Sequence, residues 1–208
     1  MKPETVVPQY YGDGEDKPSF WSNFKNHFAE TLEFIAVLAA IFIFIRLIVA
    51  EPHKVSGRSM VPNFQDADLL ITNKLATNLS PLSRGEVIIL KNPRDNNVAF
   101  IKRVIGLPNE KVMIRDGKVY INGEILNEPY LPAGTITTGE SFLQTGGEVL
   151  IPEGQYFVIG DNRGGSSDSR EWGPIKKDLI VGQAYIRYWP IPKFTIIQTG
   201  KASISKIF

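Results

Sequence analysis

Phe100-Ile101-Lys102-Arg103-Val104-Ile105-Gly106-Leu107-Pro108 decides the fold class. Aromatic and β-branched side chains run into a Gly and a Pro, the pattern of a strand closed by a turn. Alternate side chains of a strand face opposite ways, so Phe100, Lys102 and Val104 share one face and Ile101, Arg103 and Ile105 the other. Lys102 therefore stands between two apolar neighbours. Such a lysine is either an edge-strand residue reaching water or a desolvated amine whose charged form burial disfavours.

The flanking segments read the same way. Asp68–Asn73 and Glu86–Leu90 are rich in strand formers, with Ser83-Arg84-Gly85 as the turn between them. Val112–Arg115 and Lys118–Ile121 form a hairpin across Asp116-Gly117, and Asn122-Gly123 turns the chain again before Glu124–Leu126. Tyr156–Ile159 and Ala184–Tyr188 are further strands. Pro132–Gly147 is a long loop rich in Gly and Thr, and Glu171–Leu179 holds one helical turn. There is no internal repeat and no second globular domain. Residues 51–208 are expected to form one mainly β domain with coiled, partly closed sheets.

Composition narrows the chemistry. Among 208 residues, 23 are Lys or Arg and 22 are Asp or Glu, so nothing points to nucleic acid as a partner. There is no Cys, which excludes disulfides, Cys-zinc sites and a Cys nucleophile. His27 and His53 are the only histidines, too few for a His-rich metal site or a Ser-His-Asp arrangement in the body of the domain. No metal or cofactor is expected.

The N-terminal quarter differs. Residues 1–19 are polar and are expected to be a disordered tail. Phe20, Trp21, Phe24 and Phe28 recur at helical spacing and suit a short interfacial helix. From Leu32 to Ala50 the chain is apolar apart from Glu33 and Arg46, close to the roughly 20 residues that span a bilayer. The region before it is not distinctly basic and no small-x-small site closes it, which favours an uncleaved anchor over a signal peptide. A buried core helix is the alternative. The organisation is thus a polar tail with an interfacial helix over 1–30, a transmembrane anchor over 31–50, and a β-rich domain over 51–208. Lys17 and Lys25 before the span against Lys54 and Arg58 after it leave orientation undecided.

Five residues beyond the apolar run begins Val55-Ser56-Gly57-Arg58-Ser59-Met60-Val61-Pro62. Gly57 frees the backbone and Pro62 stiffens it, which holds the Ser59 hydroxyl on a sharp turn. A Ser in such a turn is usually only a turn residue. To attack a carbonyl it needs a base. His53, six residues earlier, is a poor candidate; Lys102 serves if burial lowers its pKa. A third segment, Gly160-Asp161-Asn162-Arg163-Gly164-Gly165-Ser166-Ser167-Asp168-Ser169-Arg170, offers Asp161, Arg163, Asp168 and Arg170 as an ion-pair framework. Its hydroxyls, on Ser166, Ser167 and Ser169, can orient an amine. The bland alternative is a solvated turn.

Taken in order behind a membrane span, the three segments resemble the bacterial type I signal peptidases, which are Ser/Lys endopeptidases. The resemblance covers the anchor and nearly all of 51–208. It implies Ser59 as nucleophile, its main-chain N–H in the oxyanion hole, Lys102 as general base, Ser166 as the serine that hydrogen-bonds the lysine, and Asp161, Asp168 and Arg170 as shapers of the site. It implies a mostly antiparallel β domain on the outer face of the cytoplasmic membrane. The partners it implies are the lipid bilayer and signal-peptide-bearing preproteins, cut through an acyl-enzyme after small side chains one and three residues before the scissile bond. Three positions depart from the pattern: Gly57 where some members have Ser or Thr, Asn63 where Thr is usual, and Gly164-Gly165 in place of Asp-Asn. With no side chain at Gly57, the oxyanion hole is expected to be built from main-chain N–H groups, with Ser56 a minor contributor. Gly57→Ser would be tolerated only if φ there is negative. Trp189, Ile191 and Phe194 are candidates either for an apolar edge that meets lipid or for core packing. A chain starting near Glu51 is expected to cleave a soluble peptide. The competing readings are a repressor-type Ser/Lys autoprotease and a non-catalytic membrane-tethered β module.

Overall fold

The computed structural model describes residues 20–197 and 202–204; the expected disordered tail lies outside them. The chain divides into two units, one ending at Ile43 and the other beginning at Phe44. Helix α1 (Phe20–Phe44) accounts for the first. Its apolar side chains, Phe34 and Phe42 among them, are exposed. Trp21 meets Phe24 edge-on and Phe24 stacks on Phe28 along it at the expected spacing, with ring centroids 6.2 and 6.3 Å apart. Among the described residues, His27–Val49 is the one helical stretch long and apolar enough to cross a membrane.

The second unit is mainly β, and its strand pairs are antiparallel. In chain order it holds β1 (Ala50–Lys54), β2 (Leu69–Asn73), α2 (Lys74–Leu79), β3 (Val87–Asn92) and β4 (Asp95–Gly106). Then come β5 (Lys111–Arg115), β6 (Lys118–Ile121), β7 (Glu124–Asn127), β8 (Glu148–Leu150) and β9 (Gln155–Ile159). The rest is α3 (Ser169–Trp172), β10 (Ile175–Lys176), β11 (Ile180–Trp189), β12 (Thr195–Ile196) and β13 (Ser203–Ile204). An eight-stranded sheet runs β1-β2-β11-β3-β4-β9-β10 with β12 on β11, and a five-stranded sheet runs β13-β7-β6-β5-β8.

Strand β3 shows why the sequence folds this way. Its Val-Ile-Ile-Leu run is buried on both faces. Val87 and Ile89 pack with Met60, Phe64, Leu70 and Ile101. Ile88 and Leu90 pack with Val104, Tyr156 and Val158 on the other side. Each such side chain contributes about 1.5–3 kcal/mol of transfer free energy. Strand β4 passes from one core to the next, since Ile105 joins Val112, Ile114 and Ile121 in the core of the smaller sheet.

Strand β4 is flanked on both sides. Lys102 lies opposite Ile88 of β3, and Arg103 lies opposite both Val87 of β3 and Ile159 of β9. The edge-lysine alternative is therefore out. The helical turn expected within Glu171–Leu179 begins at Ser169, because the Asp168 side chain caps α3 by accepting from the Arg170 N–H. The loop over 132–147 lacks regular structure, as expected, yet it is tied down. Thr137 N–H donates to Gly117 O at 2.9 Å, Phe142 and Leu143 N–H both donate to Arg170 O at 2.9 Å, and Gly146 N–H donates to Ile114 O at 2.7 Å. Trp189, Ile191 and Phe194 are exposed rather than packed in the core.

Candidate active site

The Ser59 turn follows β1. Val61 N–H donates to Arg58 O and Phe64 N–H to Met60 O, so residues 58–64 curl tightly. Gly57 N–H is held by Asp66 Oδ1 at 2.9 Å. Gly57 has φ of +91°, where an L side chain is strained even though the space around it is open. This corrects the condition under which Gly57→Ser would be tolerated: φ is positive.

Lys102 is 2% exposed. Its Nζ donates to Ser59 Oγ at 2.9 Å and lies 4.9 Å from the Phe100 ring centroid. Burial pulls its pKa from the ordinary 10.5 down to about 8. Among nearby charges, Asp168 works against burial, Arg170 with it, and Asp161 against it. A large fraction of Lys102 is therefore neutral just above neutral pH, able to accept a proton from the hydroxyl it touches. His53 makes no hydrogen bond to Ser59.

The third segment clamps the turn from below. Asn162 N–H donates to Ser59 O at 3.0 Å, and Asn162 Nδ2 donates to Arg58 O at 3.0 Å. Asp161 N–H points at Met60 Sδ, 3.4 Å away. With its carbonyl thus committed, Ser59 keeps an N–H that donates to no acceptor among the described residues. Gly160 is where the segments cross. A Cβ there would sit 2.2 Å from Ser166 Oγ and 2.4 Å from the Ser59 carbonyl oxygen. Ser166 is buried and its Oγ has no hydrogen-bond partner. The structure thus brings Ser166 to the Ser59 backbone but forms no hydrogen bond from it to Lys102.

The ion-pair framework differs from the one expected. Asp168 and Arg170 do pair, both fully buried, through Nε at 2.8 Å and Nη2 at 2.8 Å. Arg170 also donates to the carbonyls of Thr138, Arg163 and Ser166. Asp161 pairs instead with Arg103, through Nε and Nη2 at 2.8 and 2.6 Å. Arg163 pairs with Glu128 and donates to Thr137 Oγ1. The Tyr130 ring lies 3.9 Å from the Arg103 guanidinium. Asn63, one of the departures, donates to Asp161 Oδ2 at 2.7 Å and to Tyr130 O at 2.9 Å. Arg103 carried a signal, since it faces away from Lys102; Asn63, Glu128 and Tyr130 carried none, because their partners in the framework lie far away along the chain. The Gly164-Gly165 turn is closed by Gly165 N–H on Asn162 O at 3.0 Å.

A small cavity of about 20 Å³ lies between the end of β1 and strands β3 and β4, walled by His53, Val55, Ser56, Ile89, Phe100 and Ile101 among others. No cluster of metal-ligating side chains occurs among the described residues.

A hydroxyl gripped by a buried amine on an antiparallel β scaffold marks a class of hydrolytic enzymes. The family model described as signal peptidase, peptidase S26, matches residues 28–189; the chain belongs to that family and is an enzyme of the signal peptidase I kind. It is 35% identical over 179 residues to a probable signal peptidase I-2 of Synechocystis sp. (strain ATCC 27184 / PCC 6803 / Kazusa), covering 83% of this chain and 78% of that one. It is 39% identical over 160 residues to signal peptidase I T of Bacillus subtilis (strain 168), covering 75% and 81%. A crystal structure of a signal peptidase I from Enterococcus faecalis V583 is 34% identical, with 50% of this chain and 97% of that one covered and a TM-score of 0.42.

Proposed function

We propose that the chain is a membrane-anchored serine endopeptidase that removes signal peptides from exported preproteins, with Ser59 as nucleophile and Lys102 as general base. The observation that carries this is the 2.9 Å contact between Lys102 Nζ and Ser59 Oγ in a site where burial holds the amine near neutrality. Neutral Lys102 takes the hydroxyl proton as Ser59 Oγ attacks the scissile carbonyl. The Ser59 N–H stabilises the oxyanion. The Lys102 ammonium then gives its proton to the leaving amine, which departs with the mature protein. Water, deprotonated by Lys102, hydrolyses the remaining ester and frees the signal peptide.

Ser166, with its buried and unpartnered hydroxyl beside Gly160, helps shape the site next to the Ser59 backbone. Asp161, Asp168 and Arg170 fix the loop that clamps the Ser59 turn. The small cavity suits small side chains before the cut. The apolar helix anchors the chain in the cytoplasmic membrane with the β domain outside, and the exposed Trp189, Ile191 and Phe194 meet lipid. The test is cleavage of a preprotein by the purified full-length protein, with N-terminal sequencing of the product. Ser59→Ala and Lys102→Ala should each abolish it while leaving the fold intact. Lys102→Arg should fail too, because guanidinium stays charged. Substantial activity in any of the three overturns the assignment.

A further inference from the structure

Arg103 points to the face of β4 opposite Lys102 and there lines another cavity, of about 280 Å³. Phe64, Val87, Ile196 and Ile197 give it apolar walls, and Arg187 stands with Arg103 on its polar side. The described residues on the wall include no Asp or Glu. Both arginines have acids, but these are shut behind them. Asp161, with its side chain 0% exposed, is held by two contacts from Arg103. Asp68, with its side chain 3% exposed, takes only Arg187 Nη1, at 3.2 Å.

The Arg187 guanidinium is not used up by the fold. Its Nε donates to the Lys193 carbonyl at 2.9 Å and its Nη1 to the Asn63 carbonyl at 2.9 Å. Nη2 donates to no acceptor among the described residues. Lys193 adds an ammonium whose partner is the uncharged Gln65 Oε1, at 2.7 Å. Spare N–H donors on a charged group that is mostly out of water favour an anion strongly. A guanidinium fork accepts carboxylate and phosphate alike. The two oxygens of a carboxylate lie in one plane and serve one donor pair. Phosphate brings more oxygens and up to about two charges near neutral pH, so it can hold Nη2 and still face a second cation. The volume equals roughly nine waters, room for a phosphate and a short carbon stem, which the apolar walls suit.

We propose that this cavity is a phosphate-binding site whose ligand is a phosphate ester, gripped by Arg187 and seated against Phe64, Ile196 and Ile197. The site stands apart from the Ser59–Lys102 contact and does not depend on the peptidase reading. Occupancy reaches the framework all the same. Arg187 holds the Asn63 carbonyl, and the Asn63 side chain holds Asp161. A bound ester therefore stabilises the folded chain, and Tm rises with its concentration.

The test uses the full-length protein in detergent at constant ionic strength, with glycerol 3-phosphate, inorganic phosphate and acetate as probes. Glycerol 3-phosphate should raise Tm saturably and move the guanidinium ¹⁵N resonances of Arg187, while acetate at the same concentration does neither. Arg187→Gln should weaken binding about tenfold or more, as expected for a lost charge-assisted hydrogen bond. Ile196 is exposed at the rim, so a charge is placed there without disturbing the core. Ile196→Glu should weaken binding about threefold and Ile196→Lys strengthen it by a similar factor, and this pair decides the matter if Arg187→Gln misfolds. Two competition arms separate the sources of the ester. Phosphatidylglycerol doped into the micelles displaces glycerol 3-phosphate if a lipid headgroup reaches the cavity. Displacement by inorganic phosphate without displacement by the lipid assigns the site to a free phosphate compound. No saturable binding of any phosphate probe, acetate binding as well as phosphate, or identical affinities in the two Ile196 variants overturns the proposal.

Discussion

Lys102 works against the fold in which it sits. A group 2% exposed, with its pKa drawn from 10.5 to about 8, is penalised in its charged form by on the order of 3 kcal/mol. The activity should show this directly. Only the neutral amine is a base, so kcat/KM should climb with pH and level off above about 8, as a pH–rate profile will check. A rising limb at acidic pH would point to a carboxylate base. Stability carries the same sign. Between pH 8 and 10.5 the native amine has lost its proton while the unfolded chain still holds one, so this group's contribution to stability rises with pH in that window. Lys102→Met should accordingly raise Tm by several degrees at pH 7, a gain that fades as pH passes 8, measured by thermal unfolding of inactive and active protein side by side. The faces of this strand were legible in sequence because strand alternation is a local rule. The burial was not, because it depends on β3 and β9 closing over both flanks of β4.

Strand β4 is joined to the turn at 160–165 by one buried carboxylate. Asp161 accepts from Arg103 on the strand and from Asn63 after the Ser59 turn, and its own backbone N–H meets Met60. Asp161→Ala leaves a buried guanidinium without its anion, which costs about 3–5 kcal/mol. It should lower both the denaturation midpoint and kcat, since it also frees the segment that grips the Ser59 carbonyl. A kcat loss with an unchanged midpoint would mean that Asp161 acts on the chemistry and not on the scaffold. Hairpin β5–β6 was legible because Asp116-Gly117 selects its turn. Helix α2 was not: Lys74-Leu75-Ala76-Thr77-Asn78-Leu79 has little apolar period, and its one signal is the capping Asn73, whose Oδ1 accepts from Ala76 N–H at 3.0 Å. Strand β1 went unread because its Ala-Glu-Pro-His-Lys sequence has poor strand propensity, and pairing with β2 overrides that.

At the scale of the whole molecule, the order of the three motifs carried the family, and the fold carried their convergence. A chain lacking the apolar helix should keep peptidase activity on a soluble peptide, provided the cut falls before Ala50. That residue already pairs with Asn73 at the start of the larger sheet. A folded but inactive product in detergent would give the helix a role beyond anchoring. The loop over 132–147 is where composition misleads most. Its Gly and Thr content reads as slack, yet Leu143 is buried in the smaller sheet's core and the side chains of Arg163 and Arg170 reach Thr137 and Thr138. A bond is cut by a foreign protease only when the residues around it can leave the surface and extend into the protease's own cleft. Here that requires breaking hydrogen bonds to β5, to the β5–β6 turn and to α3 at once. Added trypsin or subtilisin should therefore spare this loop until the domain unfolds globally. At its longest irregular stretch this peptidase domain is thus a poor meal for another protease.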